Sequence, residues 1–166
     1  MTNLTALTAT LTLLLTGLMA GVFFAFSVSV MLGLDAVDPG RAVAAMQSIN
    51  DRIQNPVFLV AFVGVPVAAG ATGGLLLALG HRGAGVAFLL AAGVYVFGAF
   101  LPTMVVNVPM NDTLNAAGTP DSPEHAARLW ADFSPRWTAW NTARAGFSSL
   151  SLLLVGLGLY LWGRDR

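Results

Sequence analysis

Cysteine and lysine are both absent from this chain of 166 residues. Without cysteine there is no disulfide, no thiolate metal ligand and no thiol nucleophile. The only imidazoles are His81 and His125. They fall on opposite sides of the membrane in the reading below, so one ion cannot take both, and neither a metal nor another cofactor is expected. Charge is scarce as well. Charged residues make up 10% of the chain, where a soluble domain carries about 25%. Eight cations, all arginine, balance eight acids, so there is no basic patch for nucleic acid and no acidic tail. No glycine-rich phosphate loop follows a strand pattern, and no Ser-His-Asp set or inward pair of carboxylates is visible.

Hydrophobic residues are plentiful, at 56%, and they lie in long runs. This is the composition of an integral membrane protein. The expected fold is all-α: an integral membrane four-helix bundle with two short amphipathic interfacial helices in the long connections. It forms a single domain over 1–166, with spans at about 4–32, 56–79, 84–106 and 136–162, each long enough to cross about 30 Å of hydrocarbon. The uncharged stretch from Thr2 to Leu34 has no basic leader and exceeds the apolar core of a signal peptide, about 15 residues at most, so it reads as a retained first span.

Local signals punctuate this plan. Thr8, Thr12 and Thr16 recur every four residues, and Gly17/Gly21 and Gly70/Gly74 form small-xxx-small pairs, patterns that mark helix-packing faces and allow a homo-oligomer. Asp38-Pro39 opens a short helix with Ala42, Met46, Ile49 and Ile53 on one face and Arg41, Ser48 and Arg52 on the other. Asn55-Pro56 ends it. Gly80-His81-Arg82-Gly83 is a tight turn. Asn107 to Asp112 is too polar to continue the third span. Its non-helical backbone is expected to be buried or to line a wet cavity. Ser122-Pro123-Glu124 caps a second short helix, with Ala126, Leu129, Trp130 and Phe133 apolar and Glu124, Arg128 and Asp132 forming a solvated ion-pair ladder. Pro135 is expected to end it. The termini and the turn at 80–83 share one side, where Arg82, Arg164 and Arg166 suggest the cytoplasm of a bacterial inner membrane.

The polar residues converge on one depth. Trp137, Asn141 and Arg144 lie at i, i+4 and i+7, on one helix face. Arg144 sits roughly 10 Å inside the fourth span at about 1.5 Å per residue. It reads either as an anion clamp facing the bundle interior or as a side chain snorkelling to the interface beside belt tryptophans. Gln47, Asn50, Asn55, Asn107, Asn111 and Asn141 fall at the same depth, and buried amides must be hydrogen-bonded to each other or to a ligand. Phe23, Phe24 and Phe26 are a wall for a flat ligand or, more plainly, bulk facing lipid or core. A pocket of amides, aromatics and one arginine suits a flat, weakly acidic aromatic or quinone-like molecule arriving from the bilayer. The competing reading is a non-enzymatic scaffold, subunit or lipid binder whose amides cap one another. Proton acceptors near the site are Asp51, Asp112, Asp132 and His125, each of which also reads as a surface ion-pair member. A transporter is disfavoured because no acid lies mid-membrane.

Four motifs carry a resemblance. They are Gly17-x-x-x-Gly21-x-Phe23-Phe24-x-Phe26-Ser27, Met46-Gln47-x-Ile49-Asn50-x-x-Ile53-x-Asn55-Pro56, Val108-Pro109-Met110-Asn111-x-x-Leu114 and Trp137-x-x-Trp140-Asn141-x-x-Arg144. Over nearly its whole length the chain resembles the anthrone-oxygenase-like family of small four-span membrane proteins. The resemblance implies oxidation of an anthrone to an anthraquinone with O₂, without metal or flavin. It implies that Arg144, Asn141 and Asn111 stabilise an oxyanion, that Trp137, Trp140 and Phe24 stack on the rings, and that Asp132 or a water takes the proton. Asn50, Asn55 and Asn107 complete the expected substrate contacts.

Overall fold

The structure is a computed structural model, which describes residues 2–164. Arg166, counted above on the terminal side, lies outside the described residues. Helix α1 (Thr2–Asp35) leads to α2 (Pro39–Ile53), α3 (Pro56–Ala78), α4 (Arg82–Ala116) and α5 (Pro123–Arg164). No strand occurs among the described residues. Helices α1, α3, α4 and α5 are each long and apolar enough to cross a membrane. They pack in the cyclic order α1–α3–α4–α5, and α2 lies across α5 and the end of α4.

The caps follow the sequence. Asp38 accepts from the Arg41 N–H at 3.2 Å, and Asn55 accepts from the Phe58 N–H at 3.0 Å, each followed by proline at the first helical position. Gly80 adopts a left-handed φ of +88°, which closes the α3–α4 turn without a Cβ penalty. On α2, Ala42, Val43, Met46 and Asn50 are buried, and Arg41, Ser48 and Arg52 are exposed.

Three features differ from expectation. First, α4 does not stop near residue 106; it continues to Ala116 through Pro109. Two π-helical turns, Val96–Phe100 and Thr103–Asn107, close with the Leu101 N–H on the Val96 carbonyl and the Val108 N–H on the Thr103 carbonyl. Each widened turn comes just before a proline, Pro102 or Pro109. The proline ring would clash with the carbonyl four residues back, and local widening relieves that clash. Second, Pro135 does not end a separate short helix; the interfacial segment and the last span are one helix of 42 residues. Contacts on both sides of Pro135 hold one axis. Before it, Trp130 Nε1 and Ser134 Oγ donate to Asp35 Oδ1 on α1 at 2.9 and 2.6 Å, and after it Trp137 Nε1 donates to Asn111 Oδ1 on α4 at 2.7 Å. These tertiary contacts outweigh the one backbone hydrogen bond that proline removes.

Third, Gly17, Gly21, Gly70 and Gly74 have no neighbouring atom where a Cβ would stand, so neither pair packs within the molecule. The close helix approach uses Gly73 and Gly85 instead: a Cβ on Gly85 would lie 2.9 Å from the Gly73 carbonyl oxygen. The threonine stripe does face inward, with Thr12 and Thr16 fully buried. The ladder of Glu124, Arg128 and Asp132 is solvated but unpaired. The ion pair found among the described residues is Asp121–His125 at 2.8 Å, and the His125 hydrogen bond holds the exposed Asp121 carboxyl below its ordinary value.

Candidate functional site

At the α2 end the bundle opens around a cavity of about 340 Å³. Every helix contributes to it: Phe23 and Phe26 from α1, Asn50 from α2, Phe58 and Phe62 from α3, Thr103, Asn107, Asn111 and Asp112 from α4, and Trp137, Asn141 and Arg144 from α5. The walls are mostly apolar, with Phe23, Phe26, Phe58, Phe62 and Trp137 among aliphatic side chains. Phe62 stacks on Phe58 and Phe100 at 5.8 and 4.9 Å, and Phe26 packs on Trp137 at 5.7 Å.

A regular spacing brings these side chains together. Met19, Phe23, Ser27 and Met31 recur every four residues along α1, and Tyr95, Ala99, Thr103, Asn107 and Asn111 do so along α4. In a regular α-helix of 3.6 residues per turn, such a stripe drifts round the axis. A π-helical turn holds more residues, so it cancels part of the drift. The turns at Phe26–Val30, Val96–Phe100 and Thr103–Asn107 lie within these two stripes and keep them facing inward.

Arg144 is buried, with 4% of its surface exposed. Its Nη1 donates to Thr103 Oγ1 at 3.0 Å and its Nη2 to Asn141 Oδ1 at 2.9 Å. Its Cζ lies 4.6 Å from the Phe23 ring centroid and 5.3 Å from that of Trp137, within cation–π range. No carboxylate is within ion-pair distance of it among the described residues. Asn141 Nδ2 donates to the Phe23 carbonyl and to Ser27 Oγ, both at 2.7 Å. Trp137 Nε1 donates to Asn111 Oδ1 at 2.7 Å. Asn107 Nδ2 reaches the Trp137 carbonyl at 3.4 Å, while its Oδ1 is buried without a partner. Asn50 Nδ2 donates to Asn115 Oδ1 at 3.2 Å, and Asn115 Nδ2 to Asp51 Oδ1 at 3.1 Å.

The cavity therefore gathers Arg144, Asn141, Asn111, Asn107, Asn50 and Trp137. Four other expected residues lie elsewhere. Phe24 is 59% exposed and turned away from the bundle, because the inward stripe through Thr16, Met19 and Phe23 leaves its neighbour on the lipid side. Trp140 is 40% exposed, three residues out of phase with the buried Trp137. Asn55 is spent on capping α3. Asp132 is exposed on the solvated face of α5 and does not reach the cavity. Gln47 likewise caps backbone, donating to the Leu114 and Gly118 carbonyls at 2.8 and 2.9 Å.

Phe58, Phe62 and Thr103 were not among the expected site residues, and Phe23 and Phe26, read either as a ligand wall or as bulk, both line the cavity. The four-residue stripes running into Phe23 and Thr103 were the available signal. The carboxylate that does line the cavity is Asp112, at its exposed rim. No three His, Asp or Glu side chains converge as a metal site among the described residues.

Such a cavity can hold a flat apolar molecule by its rings and place an oxygen at Arg144. Residues 57–154 match the family model described as Anthrone oxygenase, which covers more than half of the chain and includes Asn107, Asn111, Asn141 and Arg144. No curated protein and no solved structure matches the chain.

Proposed function

Because the chain belongs to the anthrone oxygenase family, we propose that it is a membrane-embedded oxygenase that uses O₂ to oxidise a flat aromatic, anthrone- or quinone-like substrate in the cavity beside Arg144. The observation that carries this reading is a buried arginine, with no counterion among the described residues, in a mostly apolar cavity of about 340 Å³ that includes Phe23, Phe26, Phe58, Phe62 and Trp137. That volume lies at the lower end of the range for small-molecule pockets.

The chemistry follows from the substrate. The central CH₂ of an anthrone is acidic, because removal of a proton places negative charge on the carbonyl oxygen across the ring. Arg144 stabilises that oxyanion, and Asn141 holds the guanidinium in place. Trp137, fixed by Asn111, and Phe23 pack on the rings. Asp112, at the rim, is the proton acceptor this reading assigns, since Asp132 is out of reach. The electron-rich anion reduces O₂. One oxygen atom becomes the new ring carbonyl and the other leaves as water, so anthrone plus O₂ gives anthraquinone plus water.

The substrate arrives from the bilayer of a bacterial inner membrane, with the termini and the His81 turn on the cytoplasmic side. The test is O₂ uptake and anthrone loss with purified protein in detergent. Wild-type protein that consumes a panel of hydroxylated anthrones no faster than buffer sinks the oxygenase reading. A second reading has its own support, because Gln47 and Asn55 serve only to cap backbone groups. In that reading the protein is a non-enzymatic binder of hydrophobic ligands, and it would retain the molecule unchanged.

A further inference from the structure

Arg144 is a cation inside the bundle whose contacts are all neutral. A guanidinium carries five N–H donors. The bonds to Thr103 and Asn141 use two of them, and Nε is buried without a partner. Phe23 and Trp137 present ring faces only. Helices α1, α2 and α3 place no charged residue on the cavity wall. Helix α4 places Asp112 at the exposed rim, and α5 places Arg144 itself. The buried Tyr95 hydroxyl belongs to the core cluster of Phe23 and Ala145 and has no hydrogen-bond partner. A charge at membrane depth is costly and is ordinarily matched by a partner. Here the described residues supply none.

A second leftover group lies next to it. Asn107, 1% exposed, lines the same cavity with its Oδ1 unpartnered. Thr103 and Asn107 are the first and last residues of a single π-helical turn. The acceptor on Asn107 therefore stands one helical turn along α4 from the hydroxyl that Arg144 grips. Buried polar atoms find partners. A ligand that satisfies both must bring an anionic oxygen and, beside it, a hydroxyl donor.

We propose that the cavity selects its ligand as the anion: a flat aromatic weak acid whose ionised oxygen is the counterion of Arg144 and whose adjacent hydroxyl donates to Asn107 Oδ1. Singly ionised ortho-dihydroxy aromatics have this pattern. The proposal deepens the ligand-cavity reading above, and it does not depend on any reaction with O₂.

The probe is 2,3-dihydroxyanthraquinone, a flat dye whose adjacent hydroxyls are both out of reach of the ring carbonyls and whose visible absorption reports its ionisation. It is titrated with purified protein in a neutral detergent and in the same micelles without protein. The ionisation midpoint of the bound dye is expected to fall by about one pH unit or more, equivalent to anion binding at least about tenfold tighter than binding of the neutral form. Arg144→Gln returns the midpoint to the micelle value, and Arg144→Lys, which keeps the charge, retains a shift. Arg52→Gln, exposed on α2, leaves the shift intact. Wild-type protein binds 2,3-dihydroxyanthraquinone about tenfold more tightly than 2-hydroxyanthraquinone, which lacks the neighbouring hydroxyl. Asn107→Leu removes that preference and keeps the midpoint shift.

Circular dichroism of each variant establishes that it is folded. If the Gln variant is not, the wild-type and Lys titrations decide. A wild-type midpoint that does not move, or one that moves equally in Arg144→Gln, overturns the proposal. So does dye binding no greater than to empty micelles at every pH. Protein that shifts the dye but leaves anthrones untouched refutes the oxygenase and keeps the anion site. Turnover with an unshifted dye does the reverse.

Discussion

The two ends of the bundle handle polar residues in opposite ways. Toward the His81 turn the buried polar groups are hydroxyls, and Thr12, Thr16 and Thr72 are satisfied within their own helices, while Ser151 reaches across to the Ala91 carbonyl of α4 at 2.9 Å. Thr12 donates to the Thr8 carbonyl at 2.8 Å, Thr16 to the Thr12 carbonyl at 2.6 Å and Thr72 to the Ala68 carbonyl at 2.8 Å. A hydroxyl has one donor, and a carbonyl of its own helix lies within reach. The helices can then close completely, with Gly73 against Gly85 and Phe88 against Gly158. At the α2 end the polar groups are amides and a guanidinium. They carry more donors and acceptors than one helix can satisfy, so they reach across to other helices. Asn141 bonds α1, Arg144 bonds α4, and Asn107 bonds α5. Some capacity is left over, and the helices stand apart around it. Hydroxyls permit close packing in a membrane bundle, whereas amides and a guanidinium with donors and acceptors to spare leave a cavity between the helices.

The contrast can be broken from either end. Removing Arg144 should have the largest effect: Arg144→Ala lowers kcat/KM for anthrone oxidation about 10²–10³-fold. The thermal midpoint in detergent stays level or rises, because a buried charge without a counterion is itself unfavourable. A fall in stability alone, with activity kept, would place the arginine in the scaffold.

The opposite result is expected at the closed end. Gly85→Leu forces side-chain atoms against the Gly73 carbonyl, and overpacking of this kind costs about 1–3 kcal/mol. Thermal unfolding should register it, while ligand affinity in the fraction that folds is unchanged. Adjacent phenylalanines then sharpen the division within one helix. Phe23→Leu should weaken ligand binding about two- to tenfold, since an aromatic contact contributes about 0.5–1.5 kcal/mol, and Phe24→Leu should leave it unaltered. The smallest effect is Thr12→Val, which removes a hydrogen bond to its own helix and the 3.4 Å contact with Thr72. Membrane hydrogen bonds average about 0.6 kcal/mol, so a loss well above that would show the threonine pair acting as a tertiary clamp.

The membrane spans and the caps at Asp38 and Asn55 are legible from residue order, because hydrophobic runs and Asx-Pro pairs act within one turn of chain. The i, i+4, i+7 face of Trp137, Asn141 and Arg144 is legible for the same reason, and all three are buried together. The choice between Phe23 and Phe24, or between Trp137 and Trp140, is harder to read. It depends on the phase of a helix against its neighbours, and π-helical turns shift that phase without an obvious sequence mark. The division of the amides is harder still. Gln47, Asn50, Asn55, Asn107, Asn111 and Asn141 are alike in type and depth, yet Gln47 and Asn55 are used up on backbone while the other four line the cavity.

Residue order alone determined that the chain crosses a membrane as four helices and that Arg144 sits inside the last of them. In hydrocarbon each backbone group must be paired within its own segment, and only long apolar helices achieve that here. Tertiary structure decided that α5 runs straight through Pro135, that α4 continues past Pro109, and that Arg144 has no counterion among the described residues. A proline costs one backbone bond, which packing on either side can outweigh. Whether a buried charge has a partner depends on what the other three spans place against it, and no local pattern records that.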